Sequence, residues 1–197
     1  MILRDDILIK ANFYAALRRP EDMSIVPGSE RVGHNILTNT GRNWISKLIG
    51  WSTIGGTDAP FTHRRIRWLS AGSGAYVESQ SVTQLQSALL YSGSNYLAPI
   101  TSVGFPTASS IRFTRIFATT ELSTNPPTSV VITEAGLFAD VSPWNAGGTE
   151  DAQEPSMTYP TTLNPTVATN PPVAYKSIEP ITKTTDFLLE FRWDFRI

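Results

Sequence analysis

The stretch "TDFLLEFRWDFRI" (185–197) has the strongest alternating pattern in the chain. From residue 187 onward every second side chain is large and apolar, and the residues between are mostly charged. Side chains of a strand point alternately to the two faces of a sheet, so this period of two predicts a strand with one apolar face. We expect that face inside a sandwich, and the charged row suits a solvent face, an edge protected against aggregation, or a cross-strand ion-pair ladder with a neighbour. That row comprises Glu190, Arg192, Asp194 and Arg196.

The same period of two recurs along most of the chain. It predicts seven or eight strands, one of them (81–90) ambiguous, and the others lie at 11–19, 29–39, 64–74, 109–119, 129–140, 172–183 and 186–197. Their even spacing favours an all-β fold, an antiparallel β-sandwich or jelly roll. Residues 1–197 are expected to form one such domain, which includes a short N-terminal segment, 1–10, and a proline-rich loop or arm, 141–172. A bulge is expected at Ala135 and Gly136.

One helix interrupts this pattern, at about residues 40–50. Apolar residues follow at helical spacing, and Asn39 or Thr40 is expected to cap its first turn. The helix is too short to be stable alone and needs a sheet to lie on. The predicted core therefore combines this helix with the apolar strand faces, and its candidate residues are Trp44, Trp68, Phe113, Phe187, Phe191, Trp193 and Phe195.

The segment 141–172 does not fit the strand pattern. It holds six prolines and two glycines. A loop of this length without secondary structure is uncommon in a compact domain and is usually functional or disordered. It is interpreted either as an insertion without fixed structure or as an arm that becomes ordered on a neighbouring subunit. The anchors of such an arm would be Trp144, Met157 and Tyr159.

The composition of the 197-residue chain narrows the possible functions. Lys and Arg number 16 against 17 Asp and Glu, a formal net charge of −1, which does not suggest a nucleic-acid partner. Only 17% of residues are charged, a surface typical of a subunit in contact with others. Cysteine is absent, which excludes disulfides and thiol chemistry. No apolar run predicts a membrane span or a signal peptide, so the protein is expected to assemble in a cytoplasm.

No cofactor or metal site is predicted. The two histidines, His34 and His63, have no partner at metal-ligand spacing. The stretch "AGSGAY" (71–76) matches neither a nucleophile elbow nor a phosphate loop and is interpreted as a tight turn. In the cluster around residue 66, Arg65 and Arg67 are expected to face solvent or a partner protein.

Four scattered carboxylates are the remaining route to an enzyme, and the sequence places no two of them in one site. They are Glu121, Glu134, Glu179 and Glu190. Glu134, beside the expected bulge, is interpreted as a structural carboxylate that binds backbone amides or a neighbouring arginine.

Several blocks together resemble small virion structural proteins of tailed bacteriophages. The matching positions, in order, are Asn39-Thr40-Gly41, Gly72-Ser73-Gly74, Thr133 to Phe138 ("TEAGLF"), and Lys183-Thr184 before the final strand. The blocks cover a little under half the chain. The resemblance implies a β-sandwich subunit without catalytic residues, cofactor or small-molecule substrate, located in the virion. Its partners would be copies of itself and other virion proteins, with no nucleic acid or membrane.

The position in the particle is open at this point. A tail, neck or baseplate component is expected, with a capsid decoration protein as one alternative. A host-receptor or carbohydrate-binding module is another, in which exposed aromatic residues stack on sugars. A hydrolase with a carboxylate pair is the third hypothesis, and it requires two acids about 5–10 Å apart in an open cleft.

Overall fold

The structure is a computed structural model that describes residues 9–42, 45, 66–74, 77–122, 129–139 and 164–196. The described residues form ten strands, which are β1 (Lys10–Arg18), β2 (Arg31–His34), β3 (Ile36–Leu37), β4 (Ile66–Gly72), β5 (Ala98–Pro99), β6 (Ser102–Thr107), β7 (Ser110–Phe117), β8 (Ser129–Ala139), β9 (Ala174–Thr184) and β10 (Leu188–Arg196).

These strands build two antiparallel sheets of five strands each. Sheet A has the order β2-β1-β10-β7-β6, and sheet B has the order β3-β9-β8-β4-β5. Their inner faces pack on each other around one large hydrophobic core. The predicted all-β sandwich is therefore confirmed.

The central strand of sheet A is β10, the strand with the strongest alternating pattern. It pairs with β1 on one side and with β7 on the other. Its inner side chains Leu189, Phe191 and Trp193 are fully buried. The ring of Phe13 meets the ring of Trp193 edge-on, with 4.6 Å between the centroids. Aromatic contacts of this kind add to the gain from burial alone, so β10 joins its two neighbours into one apolar layer.

The structure has more strands than the sequence predicted, because two segments cross between the sheets. The predicted strand at 29–39 is divided at Asn35, so that β2 lies in sheet A and β3 in sheet B. On the opposite side of the sandwich, β5 in sheet B runs into β6 in sheet A. Strands that switch sheets form the corners of a sandwich. Neither β5 nor β6 was predicted.

A bulge at Arg67 corrects one predicted core position. Ile66 and Trp68 pair with consecutive residues of β8, so Arg67 is the extra residue in β4. The bulge breaks the alternation: Ile66 packs in the main core, whereas Trp68 is only partly buried, in a smaller cluster on sheet B. Trp68, a predicted core residue, therefore packs against the second hydrophobic cluster and not in the main core.

The remaining described core residues follow the prediction. Phe191, Trp193, Phe113 and Phe195 are buried in the main core. Phe187 is partly buried and packs against the same core. Trp44 lies outside the described residues. Neighbouring strands thus supply most of the predicted aromatic layer.

Two local predictions are corrected. The register of β8 against β9 shifts between Ile132 and Glu134, earlier than the bulge expected at 135–136. Opposite this shift β9 contains Pro180, which has no N–H to donate to the ladder. The first helical turn is capped by Thr38, whose hydroxyl oxygen accepts from the N–H of Gly41 at 3.0 Å. Of the predicted helix, residues 40–42 and 45 are described and helical.

Part of the predicted arm packs on the sandwich. The carbonyl of Pro165 accepts hydrogen bonds from the N–H groups of Tyr96 (2.7 Å) and Leu97 (3.3 Å). Asn170 is buried, and its amide donates to the carbonyl of Asn164 at 3.0 Å. Residues 141–163 of that segment lie outside the described residues.

Replacing Trp193 by alanine is expected to lower the free energy of unfolding by about 3–5 kcal/mol, because the change leaves a cavity between three strands. Urea unfolding measures the effect. It is monitored by far-UV circular dichroism, so that the loss of a tryptophan does not remove the signal. Arg196→Ala, on the exposed end of the same strand, is the control and should change stability by less than about 0.5 kcal/mol. A loss below about 1 kcal/mol for Trp193→Ala would contradict a core role for this residue.

Candidate functional site

The carboxylate of Glu134 is the most constrained polar group in the described part of the chain. It is fully buried in β8 and accepts four hydrogen bonds. Oε1 accepts from the N–H groups of Gly74 (3.2 Å) and Ser87 (2.8 Å). Oε2 accepts from the N–H of Gln86 (3.0 Å) and the hydroxyl of Tyr175 (3.0 Å). The interpretation of Glu134 as a carboxylate that binds backbone amides is confirmed.

The glycines of "AGSG" (71–74) are required by this carboxylate. A Cβ on Gly72 would lie 2.4 Å from Oε1 of Glu134, and one on Gly74 would lie 2.5 Å from Cβ of Gln86. The hydroxyl of Thr133 also donates to the carbonyl of Gly74 at 2.5 Å. Two sequence motifs that lie about sixty residues apart therefore form one structural unit.

This unit holds a long connection against the outer face of sheet B. The chain between β4 and β5 contributes Val82, Leu85 and Leu97 to a second hydrophobic cluster. They pack on Phe138 and Tyr175, which project from the outer side of the sheet. Because Glu134 binds the N–H groups of this connection, it fixes the connection to sheet B.

Glu134→Ala is expected to release the connection by leaving three backbone N–H groups without acceptors. Each buried donor left unsatisfied costs about 1–3 kcal/mol. Hydrogen exchange of the Gly74, Gln86 and Ser87 amides should accelerate well beyond the effect of the control, Glu179→Ala, whose side chain is 83% exposed. Unchanged protection of these three amides would rule out this role of Glu134.

The outer face of sheet A carries a network of ion pairs along β10. Glu190 binds the guanidinium of Arg18 and that of Arg192, the latter at 2.8 Å. The Arg192 guanidinium lies 4.1 Å from the ring centroid of Tyr14. Burial and a hydrogen bond to Glu30 raise the pKa of the Tyr14 phenol.

A second pair extends the network towards β7. Arg112 holds Asp194 with two parallel hydrogen bonds of 2.7 Å, and this contact raises the pKa of Arg112. Such bidentate pairs fix geometry as well as charge. The predicted charged row of β10 is thus in part an ion-pair network within the chain, in which Glu190 and Asp194 bind arginines of β1, β7 and β10 itself.

Three of the four carboxylates considered for catalysis are hydrogen-bonded by donors of the chain itself, and the fourth, Glu179, is 83% exposed and forms an ion pair with Arg31. Glu121 accepts from Arg115 at 2.6 and 2.7 Å, and Glu179 lies 3.4 Å from Nε of Arg31. Glu134 and Glu190 are bound as described above. Within the described ranges no group of three or more potential metal ligands comes together. The described part also has no helix with the length and hydropathy of a membrane span.

Of the predicted interface residues, Arg67 alone is described. It is exposed at the β4 bulge, and its guanidinium lies 4.9 Å from the ring centroid of Trp68. The others, Arg65, Trp144, Met157 and Tyr159, lie outside the described residues. His34 is exposed on β2, and His63 lies outside the described residues.

Lys183 is a buried cation. In the sequence it stood out only as part of the Lys183-Thr184 motif, which did not predict its burial. Its side chain is on the inner face of β9 and is fully buried. The ammonium donates to the carbonyl of Thr119 at 3.0 Å. Burial lowers its pKa from 10.5 to about 8, and the charge of Glu121 opposes this shift. The folded state therefore releases this proton at lower pH than the unfolded chain.

Lys183→Met should alter the pH dependence of stability. Below pH 8 the lysine is charged in both states and its burial is unfavourable. Between about pH 8 and 10.5 the unfolded chain binds more protons, so this group makes the wild type more stable as pH rises. Chemical unfolding at pH 7, 8.5 and 10 should show the stability of Lys183→Met falling relative to wild type along the series. The exposed Lys10→Met is the control, and a pH-independent difference for Lys183→Met would contradict the expectation.

Comparison of the chain with protein-family models, with curated proteins and with solved structures returned no match.

Proposed function

We propose that the protein is a non-enzymatic structural subunit of a tailed-phage virion, an oligomeric component of the tail, neck or baseplate. It acts through contacts with copies of itself and with other virion proteins. The proposal joins the resemblance of its sequence blocks to the way in which those blocks are used in the fold.

The observation that carries the proposal is the role of the motif residues. Gly72, Gly74 and the "TEAGLF" element (133–138) meet at the carboxylate of Glu134 and fasten a loop to sheet B. Gly41 packs against the carbonyl of Val173, where a Cβ would lie 2.0 Å from its oxygen. These motifs build a framework, as expected of a scaffold subunit and not of a catalytic site.

The outer face of sheet A supports the same proposal. The two acids of β10 on this face are paired with arginines, so covering them would not leave an unpaired carboxylate. These ion pairs are partly buried: the side chain of Glu190 is 9% exposed, and those of Arg112 and Asp194 are 36% and 30% exposed. A polar face whose carboxylates are held by ion pairs suits contact with another protein surface.

The decisive experiment asks whether the protein is part of the particle. Particles of the phage whose genome encodes the chain should contain it, as measured by mass spectrometry after gradient purification. Labelling with an antibody in electron micrographs then separates the tail, neck and baseplate from a capsid decoration protein. In solution, light scattering should show association of the purified chain. A strictly monomeric protein that is absent from purified particles would refute the proposal.

A further inference from the structure

Two cations lie side by side at one end of the outer face of sheet A. The register places Lys10 of β1 opposite Arg196 of β10. Their chain neighbours Ala11 and Phe195 are buried in the main core, so the alternation of a strand puts Lys10 and Arg196 on the outer face. Both side chains are exposed, and Ser110 of β7 continues the row beside Arg196. This row, the Lys10–Arg196 row, therefore presents two adjacent positive charges.

The sheet does not neutralise this pair. Among the described residues, neither Lys10 nor Arg196 has a carboxylate at ion-pair distance. Asp194, the next outward residue of β10, has both of its carboxylate oxygens bound by Arg112. Like charges directly opposite each other on neighbouring strands lower the stability of a sheet. Local departures of this kind are expected at functional positions, and here the missing element is an anion.

The excess positive charge of the outer face lies at this row. Glu190 binds Arg18 and Arg192, and Asp194 binds Arg112. A third acid, Glu30, lies ahead of β2 and accepts a hydrogen bond from Tyr14. Against these three acids the outward residues of β1, β10 and β7 include five lysines and arginines, which are Lys10, Arg18, Arg112, Arg192 and Arg196. The two that have no carboxylate partner are those of the Lys10–Arg196 row.

The matching negative charge is in the proline-rich segment of the sequence. Between residues 141 and 163 the charged residues are Glu150, Asp151 and Glu154. The chain has no lysine or arginine between Arg115 and Lys176. The formal net charge of the whole chain is −1, so charges of opposite sign are divided between the face of sheet A and this acidic stretch.

The number of open cations suits a short acidic peptide better than a phosphate backbone. Proteins that bind nucleic acid make about six to ten phosphate contacts, whereas the Lys10–Arg196 row offers two cations. Residues directly opposite each other in a sheet have Cβ atoms about 5 Å apart. Three carboxylates within the stretch 150–154 can engage two cations at that separation.

The attachment points of the segment favour a neighbouring copy as its binding partner. The segment follows Ala139, which pairs with Ile66 in sheet B, and it precedes Pro165, whose carbonyl binds the N–H of Tyr96. Both points are on the sheet B side of the sandwich, and the Lys10–Arg196 row is on the outer side of sheet A. The acids are about ten residues from either point, which allows a reach of up to roughly 30 Å. That reach is sufficient to cross to a second copy.

We propose that the acidic stretch 150–154 of one copy docks on the Lys10–Arg196 row of the next. The proposal deepens the proposed function and rests on the self-association expected there. The contact joins two different surfaces, so it is heterologous and repeats from copy to copy. Exposed ion pairs are individually weak, so these charges chiefly select the partner surface and its orientation.

Carbodiimide cross-linking of the full chain tests the contact directly. The reagent joins a lysine amine to a carboxylate as an amide, with loss of water. A mixture of nitrogen-15-labelled and unlabelled copies shows which copy supplies each side. Mass spectrometry should find Lys10 joined to Glu150, Asp151 or Glu154, including peptides that combine both isotopes. The absence of these links, or links confined to single copies, would overturn the proposal.

Reversal of the two charges tests the electrostatics of the contact. Lys10→Glu combined with Arg196→Glu should weaken self-association in light scattering by at least about tenfold, because like charges would then face each other. The matched control, Arg19→Glu combined with Arg42→Glu, makes the same change in net charge at two other exposed positions and should cause no comparable loss. Melting temperatures should be unchanged in both variants, because all four side chains are exposed.

A complementary reversal makes the test specific to the acidic stretch. Glu150→Lys, Asp151→Lys and Glu154→Lys together should also weaken association. In the background with both sheet cations reversed, the same three changes should restore most of the lost affinity. An affinity that stays low in the combined variant would show that the acidic stretch is not the occupant of the row and would overturn the proposal.

The remaining outcomes separate this contact from the proposed function. Oligomers that keep their affinity when Lys10 and Arg196 are reversed would overturn the docking and leave the structural role in place. A chain that is monomeric at every concentration tested would overturn the contact, and its absence from purified particles would then remove the structural role as well.

Discussion

The packing of Trp193 against Phe13 is the contact on which the rest of the structure depends. It lies at the centre of the aromatic row of sheet A and joins β10 to β1. Sheet B covers this layer with smaller side chains such as Ala71 and Ala135. Large side chains in one sheet and small ones in the other allow two twisted sheets to approach closely, because dense packing needs complementary shapes.

Glu134 shows what it takes to cover the second face of such a sandwich. A loop lying on a sheet has backbone N–H groups that water no longer reaches, and each of them needs an acceptor. One buried carboxylate supplies acceptors for three of them, at Gly74, Gln86 and Ser87, and takes the hydroxyl of Tyr175 as well. The four donors offset the cost of burying its charge. The described loop between β4 and β5 covers part of the outer face of sheet B in this way.

Period-two alternation was enough to predict the sandwich and the buried face of β10, because a strand in contact with core on one side has no other pattern available. It failed where backbone geometry interrupts the alternation, as at the Arg67 bulge that turns Trp68 outward. The short β5 and the exposed β6 lack an apolar face of their own, so no periodic signal marks them. Amide binding was one of the two roles that the sequence suggested for Glu134. The sequence could not identify the amides, because folding brings them to Glu134 from distant parts of the chain.

The two edges of sheet A would also decide the form of an edge-to-edge assembly of this chain. Strands in a sheet are rotated relative to one another in a fixed sense, so the β2 edge and the β6 edge point in different directions. A contact that joins one edge to the other repeats this rotation at each added copy. If the rotations sum to a full turn the chain of copies closes into a ring, and otherwise it continues as a helical filament. The ring or filament form of an edge-to-edge assembly would therefore be set by the angle between β2 and β6. The polar outer face of sheet A takes no part in such an edge-to-edge contact and would remain open to another protein chain.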